Sequence, residues 1–208
     1  MISNNTKAFF ELVRAGLWEK ETQLSQFSEI DYADIYKLAD EQSVVGLVTA
    51  GIDHVIDTKV PQAAALTFVG NQAMNAFIGK LIDKMRIAGI YTLLVKGQGI
   101  AQCYERPLWR ASGDVDFFLS DDNYNRAKEL LAPIASVVEK EYAREKHQGM
   151  TIDGFVVELH GTLYCGLSSK IEKGLDEIKK AVFFDGKVRS WMNDKTQVFL
   201  PNADEDVV

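Results

Sequence analysis

Gly113-Asp114-Val115-Asp116-Phe117-Phe118-Leu119 (GDVDFFL) is the stretch on which the reading of this chain turns. Asp114 to Leu119 alternates in polarity and reads as a strand. In a strand, residues two apart point to one face and neighbours point to opposite faces. Asp114 and Asp116 are therefore expected together on one face, with Val115 and Phe117 on the other. Two adjacent carboxylates repel each other. Mg²⁺ ions with a triphosphate would resolve that conflict, because Mg²⁺ takes oxygen ligands, keeps several waters and is commonly held by one or two carboxylates plus phosphates. A solvated strand Asp beside a turn Asp is the alternative, and the DxD alone does not decide between them.

Downstream, Met150 to Leu159 holds Asp153-Gly154 between two alternating runs, the signal of a two-residue hairpin turn. On the outgoing arm, Glu158 and His160 share one face, and Val157 and Leu159 share the other. If that arm pairs beside the DVD strand, Glu158 completes a three-carboxylate cluster. Its expected role is to bind a catalytic metal and to deprotonate or orient an attacking hydroxyl. Upstream, Tyr91 to Val95 (YTLLV) reads as a short buried strand. Lys96-Gly97-Gln98-Gly99 follows it, with a helix expected just beyond. Backbone N–H groups at a glycine turn and a helix N-terminus form a ready anion site. Lys96 or Arg110 could add positive charge there.

The rest of the chain reads as helices and short strands. Asn4 or Asn5 is placed to cap a helix ending near Gly16. A second helix is expected from Tyr32 to Val48, with Ile35, Leu38 and Val45 on one side. A third starts after Pro61, carries Leu66, Val69, Ala73, Phe77, Leu81 and Met85 at helical spacing, and ends at Gly89. Its Phe77, Leu81 and Met85 are expected in the core. Asp121 or Asp122 starts a helix through Leu131, stopped by Pro133. Ser168 or Ser169 starts another, to Lys180. Asp185-Gly186 marks a possible further hairpin, and Gln197 to Leu200 a last strand. The ending Asn202-Ala203-Asp204-Glu205-Asp206-Val207-Val208 resembles either a frayed tail or the capped first turn of a helix in a longer protein.

Composition bounds the class of protein. The 208 residues are 47% hydrophobic and 25% charged, as in ordinary globular proteins. No apolar run approaches the roughly 18 residues a membrane span needs. The first residues lack the pattern of a secretory leader. The two cysteines, Cys103 and Cys165, form no CxxC pair, which fits a reducing cytoplasm. A net charge of -7 argues against long nucleic acid as a partner.

Taken in order, LLVKGQG, RASGDVDFFL and VVELHG resemble the polymerase-β-type nucleotidyltransferase superfamily, and most closely a bacterial branch of unassigned function with Lys-Gly, Arg-x-x-Gly-Asp-x-Asp and Glu-x-His. The resemblance covers Ile90 to Gly161. It implies an α+β fold with a small mixed β-sheet of nucleotidyltransferase type flanked by helices; the change of pattern at Gly89 separates that subdomain, over 89–208, from an abutting helical N-terminal subdomain over 1–88. It implies an enzyme that moves a nucleoside monophosphate from a nucleoside triphosphate such as ATP to a hydroxyl of a small molecule, saccharide or protein, releasing pyrophosphate. Two Mg²⁺ (or Mn²⁺) ions would be held by Asp114, Asp116 and Glu158. Gly97 would mark the phosphate turn. The superfamily's turn is Gly-Ser, whereas Gln98 stands here, so Lys96, Arg110 or Ser112 would supply the missing contact. His160 could touch phosphate or metal, or orient Glu158. A glycosyltransferase using its DxD on a nucleotide sugar, and a non-catalytic nucleotide-binding module, are the alternatives.

Other candidates read as structural. His54 and His147 have no partner at metal-binding spacing. Cys103 and Cys165 are expected as buried, inert thiols. Trp109 is expected to pack rather than to stack on a base.

Overall fold

The computed structural model describes residues 2–53, 62–164, 166 and 168–204. Contacts group the chain into two units, Met1–Ala73 with Ala101–Ser112, and Met74–Ile100 with Gly113–Val208.

The first unit is helical: α1 (Asn4–Trp18), α2 (Tyr32–Glu41), α3 (Val45–Asp53) and the start of α4 (Gln62–Ile87). Ser3, rather than Asn4 or Asn5, caps α1; its Oγ accepts from the Thr6 N–H at 3.1 Å. Asn5 Oδ1 accepts instead from the Asp31 N–H at 2.9 Å. A Cβ on Gly16 would lie 1.9 Å from the Leu47 carbonyl oxygen, and one on Gly51 2.3 Å from that of Leu12. The close approach of α1 and α3 therefore needs glycine on both sides. The single helix expected from Tyr32 to Val48 is two helices. Ser43 adopts φ 55 between them, a left-handed conformation that a right-handed helix cannot continue. The break lets Ile35 of α2 and Val48 of α3 enter one core with Phe9 and Leu12. Asn71 Nδ2 donates to the Leu108 and Arg110 carbonyls at 2.8 and 2.7 Å, holding the 3-10 turn Pro107–Trp109.

The second unit begins within α4 and continues through β1 (Leu93–Val95), α5 (Gly97–Ala101), β2 (Asp114–Phe118), α6 (Asp121–Leu131), β3 (Val137–Val138), β4 (His147–Ile152), β5 (Phe155–His160), α7 (Ser169–Phe184), β6 (Val188–Asn193) and β7 (Thr196–Pro201). Five strands form a mixed sheet in the order β1-β2-β5-β4-β3, and β6 and β7 form a hairpin. β2 and β5 are parallel; the other neighbours are antiparallel. The expected α+β class with a small mixed sheet is the one observed.

Alternation along the central strands divides the sheet into two faces. Val115, Phe117, Val157, Leu159, Met150 and Ile152 pack with Phe77, Leu81 and Met85 of α4 and with Tyr124 and Leu131 of α6. On the other face, Leu93, Val95 and Phe118 pack with Val182 of α7. Asp153 and Gly154 take φ 51 and 84, the two positive values that a type I′ hairpin turn requires. That turn pairs Ile152 with Phe155 and so sets the register of β4 on β5.

Several sequence expectations are corrected. Phe77, Leu81 and Met85 of α4 are core as expected, and Leu66 and Val69 earlier in that helix are 64% and 59% exposed. Asp185-Gly186 is the C-terminal turn of α7, where the Asp185 and Lys187 N–H groups bond back to the Ala181 carbonyl. The hairpin lies later, between β6 and β7, around Asp194 at φ 53. β4 starts three residues before the expected Met150, and β3 and β6 had no sequence signal. The expectations for His54, Pro61, Cys165 and residues 205–208 fall outside the described residues. Among those described, no helix is long and apolar enough to cross a membrane.

Candidate active site

Parallel pairing of β2 with β5 sets Asp114 opposite Val156, Asp116 opposite Glu158 and Phe118 opposite His160. Paired residues share a face. One carboxylate oxygen from each of Asp114, Asp116 and Glu158 therefore comes within 4.8 Å of the others. From the other side, Val95 pairs with Asp116. The next residue, Lys96, turns with φ 52 and brings its Nζ to 3.1 Å from Asp116 Oδ1. His160 Nε2 meets the same oxygen at 2.9 Å.

Asp116 is only 1% exposed. Burial pushes its carboxyl up, but the hydrogen bond from His160 and the charge of Lys96 outweigh burial, leaving it below the usual carboxylate range. A buried charge is tolerated only when paired in this way. Its second oxygen, Oδ2, has neither solvent access nor a hydrogen-bond partner among the described residues. Buried orphan oxygens are rare in folded proteins. An oxygen-only donor set that includes one suits a hard divalent cation such as Mg²⁺ or Mn²⁺.

The structure adds a residue that the sequence reading left without partners. His147, at the start of β4, pairs with His160. Their rings stack at 4.8 Å and 14°. His147 Nε2 lies 3.3 Å from Glu158 Oε2, and His160 Nε2 lies 3.4 Å from it. Spacing along the chain could not reveal this, because His147 and His160 meet only across a hairpin. The signal was nonetheless present. Carried outward from the Asp153-Gly154 turn, the two-residue register lands His147 opposite His160.

The remaining sequence candidates are placed as follows. α5 starts at Gly97 itself, with only Lys96 between it and β1, and is a single short turn. Gln98 is buried, with its Nε2 3.8 Å from Met74 Sδ. Arg110 and Ser112 belong to the first unit, where Arg110 Nη1 donates to Ser112 Oγ at 3.1 Å. Trp109 packs against Phe68 with ring centroids 5.7 Å apart. Cys103 is exposed rather than buried, because it lies in the loop after α5 and not in a packed element.

A cavity of about 590 Å³ adjoins the cluster; Lys96, Glu145, His147, His160 and Thr162 are among its polar lining, and Phe118 and Val182 among its apolar lining. Volume and lining are those of a small-molecule pocket.

Residues 28–198 match the model of a family described as uncharacterised nucleotidyltransferase. Among solved structures, the fold is similar to that of a Thermotoga maritima protein provisionally assigned as a nucleotidyltransferase, with 13% identity, a TM-score of 0.46, and coverage of 63% of this chain and 78% of that one. No curated protein matches. The family match takes in most of the chain, including every strand of the five-stranded sheet: the chain belongs to the uncharacterised nucleotidyltransferase family, and its chemistry is nucleotidyl transfer.

Proposed function

We propose that the chain transfers a nucleoside monophosphate from a nucleoside triphosphate to a hydroxyl of a small molecule, a saccharide or a protein, at Asp114, Asp116 and Glu158. These three would hold two Mg²⁺ or Mn²⁺ ions, which when bound supply charge stabilisation and an in-line template. The observation that carries this reading is the in-register pairing of Asp116 with Glu158, with Asp114 on the same face.

The chain's own groups divide the work. Glu158 orients the acceptor hydroxyl and receives its proton as the oxygen bonds to the α-phosphorus. The bond from that phosphorus to the bridging oxygen breaks, and pyrophosphate leaves. Lys96 has a half-exposed side chain and moves from Asp116 to the triphosphate once Asp116 has other positive charge beside it. Gly97 contributes backbone at the phosphate turn. Gln98, whose side chain faces the interior, does the same. His160 is the further phosphate-side candidate of this unit. The cavity of about 590 Å³ is roomy enough for a nucleoside.

The test is a thermal-shift screen of ATP, GTP, CTP and UTP with Mg²⁺ or Mn²⁺, followed by assay of the released product. A ligand that binds only the folded chain raises its melting temperature. Stabilisation that needs both metal and nucleotide, with pyrophosphate released, is the expected result. Release of nucleoside diphosphate from a nucleotide sugar would point to glycosyl transfer instead. No shift with any nucleotide would overturn the reading.

A further inference from the structure

The carboxylates use oxygen alone, but Glu158 also faces two imidazoles. His147, His160 and Glu158 each offer one ligand atom, and these atoms lie within 4.8 Å of one another. Two of the three separations, 3.3 and 3.4 Å, end on the same carboxylate oxygen. Those are close to the edge of a tetrahedron whose bonds are about 2.0–2.1 Å, the length of zinc bonds to histidine and carboxylate. The third separation, between the ring nitrogens, closes by rotation about the broad χ2 torsion of histidine.

The hydrogen bonding leaves this set unresolved. The Nε2 of His160 faces Asp116 Oδ1 at 2.9 Å. His147 Nε2 has no solvent access and no hydrogen-bond partner among the described residues, despite its nearness to Glu158. One cation between the three side chains gives the orphan His147 nitrogen a partner, with His160 Nε2 turning from Asp116 Oδ1 to the ion. Imidazole selects Zn²⁺, Co²⁺ or Ni²⁺ over Mg²⁺. Two histidines and a glutamate with an open fourth position form a known donor set for catalytic zinc.

We propose that His147, Glu158 and His160 bind one transition-metal ion of the zinc class, beside the oxygen-only cluster and with Glu158 common to both. The site rests on the reading of that cluster only through Glu158 and needs no nucleotide. A water or a phosphate oxygen of the substrate takes the open position. The same two histidines are among the residues that line the cavity.

The test is titration of the nucleotide-free full chain with Co²⁺, read by its visible d–d absorption, with Zn²⁺ as competitor. The expected result is one equivalent of Co²⁺ with the spectrum of a low-coordinate nitrogen–oxygen site, displaced by Zn²⁺ and untouched by excess Mg²⁺. His147→Ala and, as the better-packed variant, His147→Gln should each weaken Co²⁺ binding at least about tenfold. Asp114→Asn should keep the Co²⁺ spectrum while losing Mg²⁺-dependent nucleotide binding. Absence of the band, or a band indifferent to both His147 variants and to His160→Ala, overturns the proposal. A band lost in Asp114→Asn but kept in the His147 variants also overturns it, and leaves the carboxylate site standing. A histidine-dependent band with no nucleotide binding under any condition sustains the metal site and sinks the nucleotide reading alone.

Discussion

The two faces of the five-stranded sheet come from the same strands and are put to opposite uses. On one, Val115, Phe117, Val157 and Leu159 disappear into the α4 and α6 core. On the other, the alternate residues Asp114, Asp116, Glu158 and His160 gather charge that water alone would keep apart. A period of two makes one strand supply both. The apolar face holds the polar one rigid, so that carboxylates on two adjacent strands stay within ligand distance. The polar face is locally unfavourable, and the packing behind it offsets the cost.

Four changes test that division. Phe117→Ala strikes the apolar face at a fully buried position and should cost about 3–5 kcal/mol in urea denaturation. A loss below about 1 kcal/mol would mean this face is not the scaffold. Asp114→Asn with Asp116→Asn strikes the other face. Pyrophosphate release should fall at least about a hundredfold, with the fold retained by circular dichroism. A double variant that binds ATP as wild type does would place the nucleotide elsewhere. Gly154→Ala touches neither face but strains the turn that assigns residues to them. At φ 84 it should cost about 1–2 kcal/mol by thermal melting. A one-residue slip would exchange the faces of β4, so activity should survive only if the register does.

Asp121 is the control outside both faces. It accepts from Lys179 and Lys146 at 2.7 and 2.9 Å, and these bonds hold its carboxyl below the usual range. A folded-state pKa below the unfolded one adds stability that is present above the unfolded value and lost as pH falls through the folded one. The side chain is 61% exposed, so the screened contribution is below about 1 kcal/mol. Asp121→Asn should be slightly less stable than wild type at neutral pH, and the gap should close in acid. A gap that widens in acid would contradict the pairing.

Much of the polar face was legible in the chain. The alternation of GDVDFFL, the Asp153-Gly154 turn and the ExH on the outgoing arm give the strands and the sides on which their residues fall. What was not legible depends on meetings between segments. His147 sits in a polar run, Arg144-Glu145-Lys146-His147-Gln148, with no apolar alternation to mark a strand; only the register carried out from the Asp153-Gly154 turn points to it. The break at Ser43 was hidden because Val44 and Val45 continue the apolar pattern across it. Asp185-Gly186 carries hairpin chemistry, but the same residue types also end helices, and here α7 claims them. The true hairpin at Asp194 contains no glycine, so it lacks the Asp-Gly pair that marked the first. The placement of Gln98 against Met74 could not be read from a loop sequence at all.

The strand order has a consequence for how the protein survives in company. The outermost strands, β1 and β3, are its shortest, three and two residues. At β3 the valines are about half exposed, yet a stray strand would find only a two-residue seam to add itself to. The long central strands, whose backbone groups would make the better template, have neighbours on both sides. Strand addition to this five-stranded sheet is thereby blunted.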